Sequence, residues 1–444
     1  MSMEVKERQS ARKKHVPEGW SVYKINELLV RLKNPVNVKD DETYREIGIR
    51  SHGKGIFYKE SITGKDLGGK SVFWIEPDCF IVNIVFAWEM AVAKTTNREL
   101  GFIASHRFPM YRPVESKLSI DFITHFFKSS KGKHLLKLAS PGGAGRNKTL
   151  GQKEFAETEV TIPISVNEQK GIANVLSTWD EAIELKEKLI ELKKEQRKGL
   201  MQKLLTGQIR WNDRERCTTE EVQDRIAMIS RGEVPEGYMD TKAGILPEEW
   251  TVKKLKEISK RIQRKNEGKE DKPVLTISSL SGFLNQSDRF SKVIAGENLS
   301  KYTLIKKNEF AYNKGNSKTY PCGCIFRLED YEEALVPNIY YSFQIVEGET
   351  EFYKHYFASG KMNRHLGKVI NTGVRNDGLL NVDASDFFNI PVVCPPKHEQ
   401  LKIAEVLTNA GNEIDCLEKE VVSIKEQKRG LMQLLLTGKL RVKV

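Results

Sequence analysis

The most regular pattern of apolar positions in this chain runs from Ile403 to Leu435. Apolar residues recur there at alternate spacings of four and three, and only Lys428 is polar at these positions. Such spacing is typical of a helix that packs along a second helix in a coiled coil. A matching stripe from Ile172 to Leu204 has the same register and three basic interruptions. We therefore predict two long helices, each about 40 residues and roughly 60 Å in length.

The two helices belong to an internal duplication. The segment KKEQRKGLMQKLLTGQIR at 193–210 returns as IKEQKRGLMQLLLTGKLR at 424–441, with 12 of 18 positions identical. The start of each half repeats too, because PEGW at 17–20 returns as PEEW at 247–250. Self-similarity at a fixed spacing indicates repeated structural units. The sequence predicts two modules, each a globular domain followed by a long helix, with the helices antiparallel and the modules related by a pseudo-twofold axis.

The globular parts have a mixed pattern. Alternating runs such as YREIGIRS and PVLTISSL predict strands, and longer runs such as DFITHFFKSSKGKHLLKLA and EFYKHYFASGKMNRHLGKVI predict helices. The predicted fold class is α+β, with two globular mixed α/β domains joined by the two helices. The predicted boundaries are 1–166 for the first globular domain, 167–210 for the first helix, 211–246 for a connector, 247–397 for the second globular domain and 398–444 for the second helix.

Composition and charge narrow the function. The chain has no apolar run near the roughly 20 residues of a membrane span, and its first residues are too polar for an export signal, so we expect a cytoplasmic protein without a membrane partner. Cys322 and Cys324 have no second Cys or His pair at ligand spacing, so no metal site is predicted. The formal charge of +12 favours a polyanionic partner such as nucleic acid.

Catalytic motifs are missing from the sequence. The glycine-rich segment 142–149 lacks the Gly that a phosphate-binding loop needs before its Lys, because Asn147 occupies that position. The Pro-Pro pair in the segment 394–397 lacks the acidic or Asn residue before it and the aromatic after it that an adenine methyltransferase needs. We therefore predict no catalytic residues in this chain and no enzymatic activity of the chain by itself.

The duplicated motifs resemble those of a known family. A P-E-x-W opening, an E-Q-x-x-I-A-x-V-L segment and a helix ending in E-Q-[RK]-[RK]-G-L-M-Q-x-L-L-T-G, each present twice, are similar to the specificity subunits of type I restriction–modification systems. The resemblance covers nearly the whole chain. It implies that the globular domains are target-recognition domains, each recognising one half of a bipartite site in double-stranded DNA, and that the helices set the spacer between the half-sites.

The resemblance also implies the partners. Two methyltransferase subunits would dock on the helices, and restriction subunits would join them to cleave DNA. The chain would then be the non-catalytic subunit of a site-specific deoxyribonuclease and adenine-specific methyltransferase complex. It would bind no cofactor itself, whereas S-adenosylmethionine would serve the methyltransferase partner and ATP and Mg²⁺ the restriction partner.

Polar, basic loops supply the candidate DNA contacts. Arg, Lys, His and Asn side chains can donate hydrogen bonds to phosphates and base edges, although solvated turns have the same composition. The candidates in the first module are Arg50, His52, Lys54, Lys94, Asn97, Arg98, Arg146, Asn147 and Lys148. Those in the second module are Asn313, Lys314, Asn316, Lys318, Arg375 and Asn376.

Two other functions fit parts of the pattern. A stand-alone sequence-specific DNA-binding regulator would bind its site tightly without methyltransferase partners. A non-catalytic coiled-coil scaffold with no role on DNA would show no salt-dependent affinity for DNA.

Overall fold

The computed structural model describes residues 16–142, 148–266, 272–278, 282–286, 299–315, 320–370 and 380–443, with only the backbone of Arg214. Its contacts divide the chain into two units. Unit 1 comprises Met1–Lys188 and Glu418–Val444, and unit 2 comprises Leu189–Leu417. Two helices of 39 residues, α6 (Val166–Leu204) and α13 (Lys397–Leu435), contribute residues to both units. No helix in the described ranges is long and apolar enough to cross a membrane.

The strands of unit 1 form two four-stranded sheets and a ribbon within its described residues. One sheet has the order β2 (Leu29–Leu32), β9 (Met110–Pro113), β6 (Phe80–Val82) and β7 (Val92–Lys94). The other has the order β4 (Ile56–Thr63), β3 (Thr43–Ile49), β8 (Ile103–Ser105) and β5 (Val72–Trp74). The ribbon pairs β1 (Trp20–Lys24) antiparallel with β10 (Glu159–Pro163).

The helices of unit 1 contact both of these sheets. They are α1 (Ile25–Leu28), α2 (Gly64–Leu67), α3 (Ile120–Lys128), α4 (Ser130–Leu138), α5 (Gln152–Ala156) and the 3-10 helices Ala87–Glu89 and Asn97–Glu99. The Ser119 hydroxyl caps α3 by accepting a hydrogen bond from the Phe122 amide. The amphipathic α3 buries Phe127 against Phe80 and Phe155, with ring centroids 5.3 and 5.5 Å apart. This aromatic cluster forms the main core of unit 1.

Among its described residues, unit 2 has one four-stranded sheet and four two-stranded ribbons. Its four-stranded sheet has the order β14 (Ser259–Ile262), β21 (Tyr341–Ile345), β18 (Phe310–Asn313) and β19 (Cys324–Arg327). Its antiparallel ribbons pair β11 (Tyr238–Thr241) with β12 (Gly244–Pro247), β13 (Thr251–Lys254) with β22 (Pro391–Cys394), β15 (Leu275–Ser278) with β16 (Gly282–Asn285), and β17 (Thr303–Lys306) with β20 (Glu333–Val336). The mixed α and β content predicted for both globular parts is confirmed.

The helices of unit 2 begin in the segment after α6. They are α7 (Asp213–Arg216), α8 (Thr219–Arg231), α9 (Leu255–Ile258), α10 (Thr350–Ala358), α11 (Asn363–Val369), α12 (Ala384–Phe388) and the 3-10 helix Leu299–Lys301. Thr218 caps α8 in a capping box with Glu221, and Gly232 ends it in the left-handed conformation. In the core, Phe310 stacks on Phe343, and Phe357 of α10 meets both rings edge-on.

The long helices pair in antiparallel fashion within each unit. In unit 1, Lys186 contacts Glu420 at 2.6 Å and Lys428 contacts Asp180. In unit 2, Lys193 contacts Glu413 at 2.7 Å. Residues later in α6 therefore meet residues earlier in α13, and the predicted antiparallel coiled coil is confirmed. The lysines that interrupt the apolar stripes form ion pairs across the seam, which offsets the cost of placing charge there.

Each long helix ends against the opening segment of a globular domain. The chain turns at Gly207, with φ +67°, and a Cβ at this residue would lie 2.5 Å from the Pro247 ring. At Gly438, with φ +71°, a Cβ would lie 2.7 Å from the Pro17 ring. Only glycine fits such a turn and such a contact. The repeated T-G and P-E-x-W motifs therefore meet in space, the first helix end with the second opening segment and the second helix end with the first.

Candidate nucleic-acid interface

A cleft of about 690 Å³ in unit 1 contains several of the predicted DNA contacts. Its walls come from the start of β4, the turn after β7, helix α3 and the first half of α6. Lys94, Asn97 and Arg98, predicted from sequence, line it together with Gly55, which follows the predicted loop 50–54. The structure therefore brings the turn at 94–98 next to the chain that follows the loop 50–54, about 40 residues earlier in the sequence.

The turn at 94–99 is fixed by a buried carboxylate. Glu99 is 3% exposed and accepts hydrogen bonds from the backbone and hydroxyl of Thr96, at 2.7 and 2.8 Å. The Tyr58 hydroxyl donates to the same carboxylate at 2.5 Å, and this hydrogen bond raises the pKa of Tyr58. With Glu99 holding the turn from inside, the side chains of Asn97 and Arg98 are exposed at its tip. A fixed turn with exposed donors is suited to contacting a ligand.

Lys94 has a different environment from its neighbours in the turn. Its Nζ lies 2.9 Å from Asp121 on α3 and 3.4 Å from Asp78. Burial alone would lower the pKa of Lys94, but the two carboxylates outweigh burial and raise it. Two carboxylates therefore offset the positive charge of Lys94, and the ion pair joins β7 to α3.

The loop 50–54 is anchored through its backbone. His52 adopts a left-handed conformation with φ 62°, and its amide donates to the carbonyl of Glu89 at 2.7 Å. The Arg50 guanidinium lies 5.1 Å from the centre of the Phe57 ring. The side chains of Arg50, His52 and Lys54 are exposed. This loop thus presents three side chains that can donate hydrogen bonds from a fixed backbone.

The remaining candidates are divided between described and undescribed residues. Lys148 lies 5.9 Å from the Trp88 ring. In unit 2 the Asn313 side chain holds its own turn, donating to Ile277 O at 3.3 Å and accepting from Gly315 N at 2.9 Å. Lys314 lies 4.6 Å from the Tyr341 ring. Arg146, Asn147, Asn316, Lys318, Arg375 and Asn376 lie outside the described residues.

A pair of buried histidines was not predicted. His125 on α3 and His355 on α10 have their Nε2 atoms 3.1 Å from Ser177 Oγ and 2.9 Å from Thr408 Oγ1, hydroxyls of the two long helices. Burial lowers the pKa of each histidine to about 4. The sequence carries a signal for them, since F-x-x-H-x-F occurs in both modules, at 122–127 and 352–357. The neutral imidazoles tie each globular domain to a long helix.

The side chains next to these histidines differ between the units. In unit 1, Asp180 lies 3.9 Å from His125 Nδ1 and also pairs with Lys428. In unit 2, Gly411 faces Arg197, whose Nε is buried and has no hydrogen-bond partner among the described residues. At equivalent helix positions the framework therefore has Asp180 in unit 1 and Gly411 in unit 2, where the acid near the histidine is Glu351, 3.7 Å from His355 Nε2.

The potential metal ligands of the described residues are not clustered. In the part of the chain that the structure describes, no group of three or more His, Cys, Asp and Glu side chains is placed to hold a metal ion. Cys322 and Cys324 are free thiols, and burial raises the pKa of both.

Comparison with known proteins identifies the framework. The sequence profile of the type I restriction modification DNA specificity domain matches residues 17–194 and again residues 247–426. The type I restriction enzyme MjaVIII specificity subunit of Methanocaldococcus jannaschii is 25% identical over 456 residues, which cover 96% of this chain and 94% of the relative. The putative MjaX specificity subunit of the same organism is 21% identical, with coverage of 96% and 95%.

The fold of the chain also resembles that of a solved specificity subunit. The S subunit of a type I restriction–modification system from M. genitalium matches with a TM-score of 0.52 and 15% identity, over 96% of this chain and 97% of that chain. The resemblance predicted from the duplicated motifs is confirmed. Because the domain profile matches twice and spans most of the sequence, this chain belongs to the family of type I restriction–modification specificity subunits, with one DNA specificity domain in each half.

Proposed function

We propose that this chain recognises a bipartite target in double-stranded DNA for a type I restriction–modification enzyme, and that each unit binds one half of the target. The observation that carries the proposal is the unit 1 cleft, where a rigid turn presents Asn97 and Arg98 beside the loop 50–54. The two units share a framework but differ in the loops that it presents. An asymmetric target, with unlike halves, follows from that difference.

The partner subunits carry the chemistry in this proposal. Adenine methylation requires S-adenosylmethionine bound by methyltransferase subunits, and DNA cleavage requires ATP and Mg²⁺ used by restriction subunits. This chain binds none of these cofactors itself and supplies the position on DNA. Because its ligand is cellular DNA, the proposed location is the cytoplasm.

Two glycines support the docking of two methyltransferase subunits. Gly199 and Gly430 occupy equivalent positions in α6 and α13, where glycine costs about 1 kcal/mol relative to alanine. A Cβ at either position would meet no described atom within 4 Å, so packing within the described chain does not require glycine there. A partner backbone that approaches the helix closely would require glycine at these positions. Since the open position occurs twice, we propose one methyltransferase subunit at each.

Reconstitution tests the proposal. The purified chain is combined with its cognate methyltransferase subunit, S-adenosylmethionine and genomic DNA, and modified adenines are located by sequencing. We expect methylation at a split site from the complex and none from the methyltransferase or the chain alone. Methylation by the chain alone would contradict the non-catalytic role. Tight site-specific binding by the chain without partners would favour a stand-alone regulator, and the absence of salt-dependent DNA binding by the complex would favour a scaffold.

A further inference from the structure

Unit 2 has a second large cleft, of about 680 Å³, that the loop patterns did not indicate. Three segments line it. They are residues 261–266, which run from the end of β14 into the following loop, residues 300–303, which lead from the 3-10 helix into β17, and residues 338–340 before β21. These segments are far apart in sequence and meet only in the folded unit.

The cleft has a strongly positive lining. Arg261, Arg264, Lys265 and Lys301 are among its lining residues, and no described lining residue carries a carboxylate. Two contacts hold the Arg264 guanidinium in place. It pairs with Glu309, which is 4% exposed, and it donates a hydrogen bond to the carbonyl of Leu304 at 3.2 Å. The side chains of Arg261, Lys265 and Lys301 are exposed. Three solvated cations beside one anchored arginine create a positive potential that favours a polyanion.

One residue of this lining shares a ring contact with a predicted DNA contact. The Arg261 guanidinium lies 5.5 Å from the centre of the Tyr341 ring, and Lys314 Nζ lies 4.6 Å from the same ring. A ring face holds a cation in place without cancelling its charge. Arg261 of the cleft and Lys314 therefore contact the same aromatic ring, that of the buried Tyr341.

The equivalent place in unit 1 is closed. Arg31 on β2 corresponds to Arg261 on β14, but its guanidinium pairs with the Gln152 side chain. Two of the following residues differ in charge, since Asn34 and Pro35 occupy the positions of Arg264 and Lys265 in unit 2, and Asn34 donates to Glu76 at 2.9 Å. The β-bridge of Pro35 with Phe73 has its counterpart in the bridge of Lys265 with Thr303. A cavity that Arg31, Lys33 and Phe73 help to line in unit 1 has a volume of about 20 Å³. The basic cleft is thus a property of unit 2 and not of the repeated framework.

We propose that this cleft binds the phosphodiester backbone of the half-site that unit 2 recognises, with Arg261, Lys265 and Lys301 contacting successive phosphates. The inference rests on the proposed function, and it assigns to unit 2 a backbone-binding surface that unit 1 lacks. Lysine and arginine side chains that neutralise phosphates release condensed counterions, so these contacts make binding salt-dependent. They also fix the position of the duplex, from which other side chains reach the bases.

A salt titration of the reconstituted complex with its methyltransferase partners tests the inference. The triple variant Arg261→Ala, Lys265→Ala and Lys301→Ala is compared with the control Lys256→Ala, Lys260→Ala and Lys307→Ala, which removes the same charge from exposed lysines of the same unit. Arg264 is left in place because it pairs with a buried glutamate. Binding of a duplex that carries the target is measured at several salt concentrations.

We expect the slope of log K against log salt to become shallower by about 3 in the cleft variant, or about 1 for each lost phosphate contact, with affinity lowered at least about tenfold at low salt. The charge-conserving variant Arg261→Lys, Lys265→Arg and Lys301→Arg should retain the wild-type slope, which separates loss of charge from misfolding. If the cleft variant and the control have the same slope and affinity while the wild-type complex methylates its site, the inference is wrong and the proposed function stands. If the wild-type complex shows no salt-dependent DNA binding, the inference and the proposed function are both wrong.

Discussion

Arg441 and Glu168 are 273 residues apart in the chain and form a two-point ion pair, with Nε 2.5 Å from Oε1 and Nη2 2.8 Å from Oε2. The same pair occurs in unit 2, where Arg210 meets Glu399 at 2.7 and 2.9 Å. Each arginine follows the end of one long helix and each glutamate lies at the start of the other. The ion pairs therefore join the two sequence repeats to each other within each unit.

The two ion pairs should differ in their contribution to stability. The side chains of Arg210 and Glu399 are 17% and 0% exposed, and Glu399 also accepts a hydrogen bond from Trp250 Nε1 at 2.8 Å. The Arg441 side chain is 44% exposed, so solvent screens its charge. We expect Arg210→Ala to lower the free energy of unfolding by about 3–5 kcal/mol and Arg441→Ala by about 1–2 kcal/mol. Urea unfolding, followed by hydrogen exchange in each unit separately, measures both changes in the free energy of unfolding. Equal losses for the two variants would show that burial does not determine the contribution of the ion pair.

An acid at position 411 should stabilise unit 2. A Cβ on Gly411 would lie 3.7 Å from Arg197 Nε, an ordinary contact distance, and that nitrogen has no hydrogen-bond partner among the described residues. We expect Gly411→Asp to be more stable than Gly411→Asn by about 0.5–1 kcal/mol, because only the aspartate adds an ion pair. Both should gain from the removal of a helical glycine. Thermal unfolding of the two variants at pH 7 gives the difference, and an Asn variant as stable as the Asp variant would exclude the ion pair.

The buried histidines should make the protein less stable at acidic pH. Burial lowers the pKa of His355 to about 4, with Glu351 opposing the shift and Arg197 adding to it. The unfolded chain takes up a proton near pH 6.5, which the folded protein does not bind until about pH 4. Between these values the free energy of unfolding falls with decreasing pH, by up to about 1.4 kcal/mol per unit for each such histidine.

His355→Gln isolates this contribution. Glutamine can keep a hydrogen bond to Thr408 but does not titrate, so the variant should lose stability less steeply between pH 6.5 and 4 than the wild type. His125→Gln is the matched change in unit 1. Carboxylates other than Glu351 and Asp180, which lie next to the two histidines, contribute equally to wild type and variants. Parallel stability curves for wild type and both variants would show that the histidines are not neutral in the folded state.

The open glycines should control the number of methyltransferase subunits bound. Gly199→Trp and Gly430→Trp each place a large side chain where no described atom of the chain lies. We expect each single variant to bind one methyltransferase subunit and the double variant none, as measured by native mass spectrometry. Gly199→Ala and Gly430→Ala add only a methyl group at each position, so they should weaken binding less than the Trp variants do while gaining about 1 kcal/mol in helix stability. Two bound subunits on the double Trp variant would exclude this docking position.

The unit 1 turn should affect one half of the DNA target only. Arg98 is exposed at the tip of a turn that Glu99 holds from inside, so its removal should not disturb the fold. We expect Arg98→Ala to weaken or relax recognition of one half-site by about 1–3 kcal/mol if the side chain contacts a base, and to leave the other half unchanged. Methylation of a library randomised at both half-sites measures this. Equal relaxation of both halves would contradict the assignment of one half-site to each unit.

Sequence was sufficient where the information is periodic or repeated. Heptad spacing predicted the paired helices, and the duplicated motifs predicted two similar modules and their family. The sequence was insufficient to predict contacts between segments that are far apart in the chain. The pairing of Lys94 with Asp78 and Asp121 depends on the packing of β7 against α3, and the cleft around Arg261 is formed by three separate segments. The repeated histidines were visible in the sequence, but only the structure shows their hydroxyl partners.

Unit 1 is built from two separate segments of the chain, so it is completed only when the second segment has been synthesised. Unit 2 is one continuous stretch, whereas the core of unit 1 includes Leu435 and Leu436, and its opening segment packs on Gly438. On the ribosome, the first globular domain therefore emerges without the residues that complete it. The intervening 229 residues of unit 2, Leu189–Leu417, take on the order of 10–50 s to synthesise at about 5–20 residues per second. During that time, the part of unit 1 that packs on its second segment exposes apolar surface. A nascent chain that stops short of Arg441 therefore leaves the first unit, and not the second, incompletely folded.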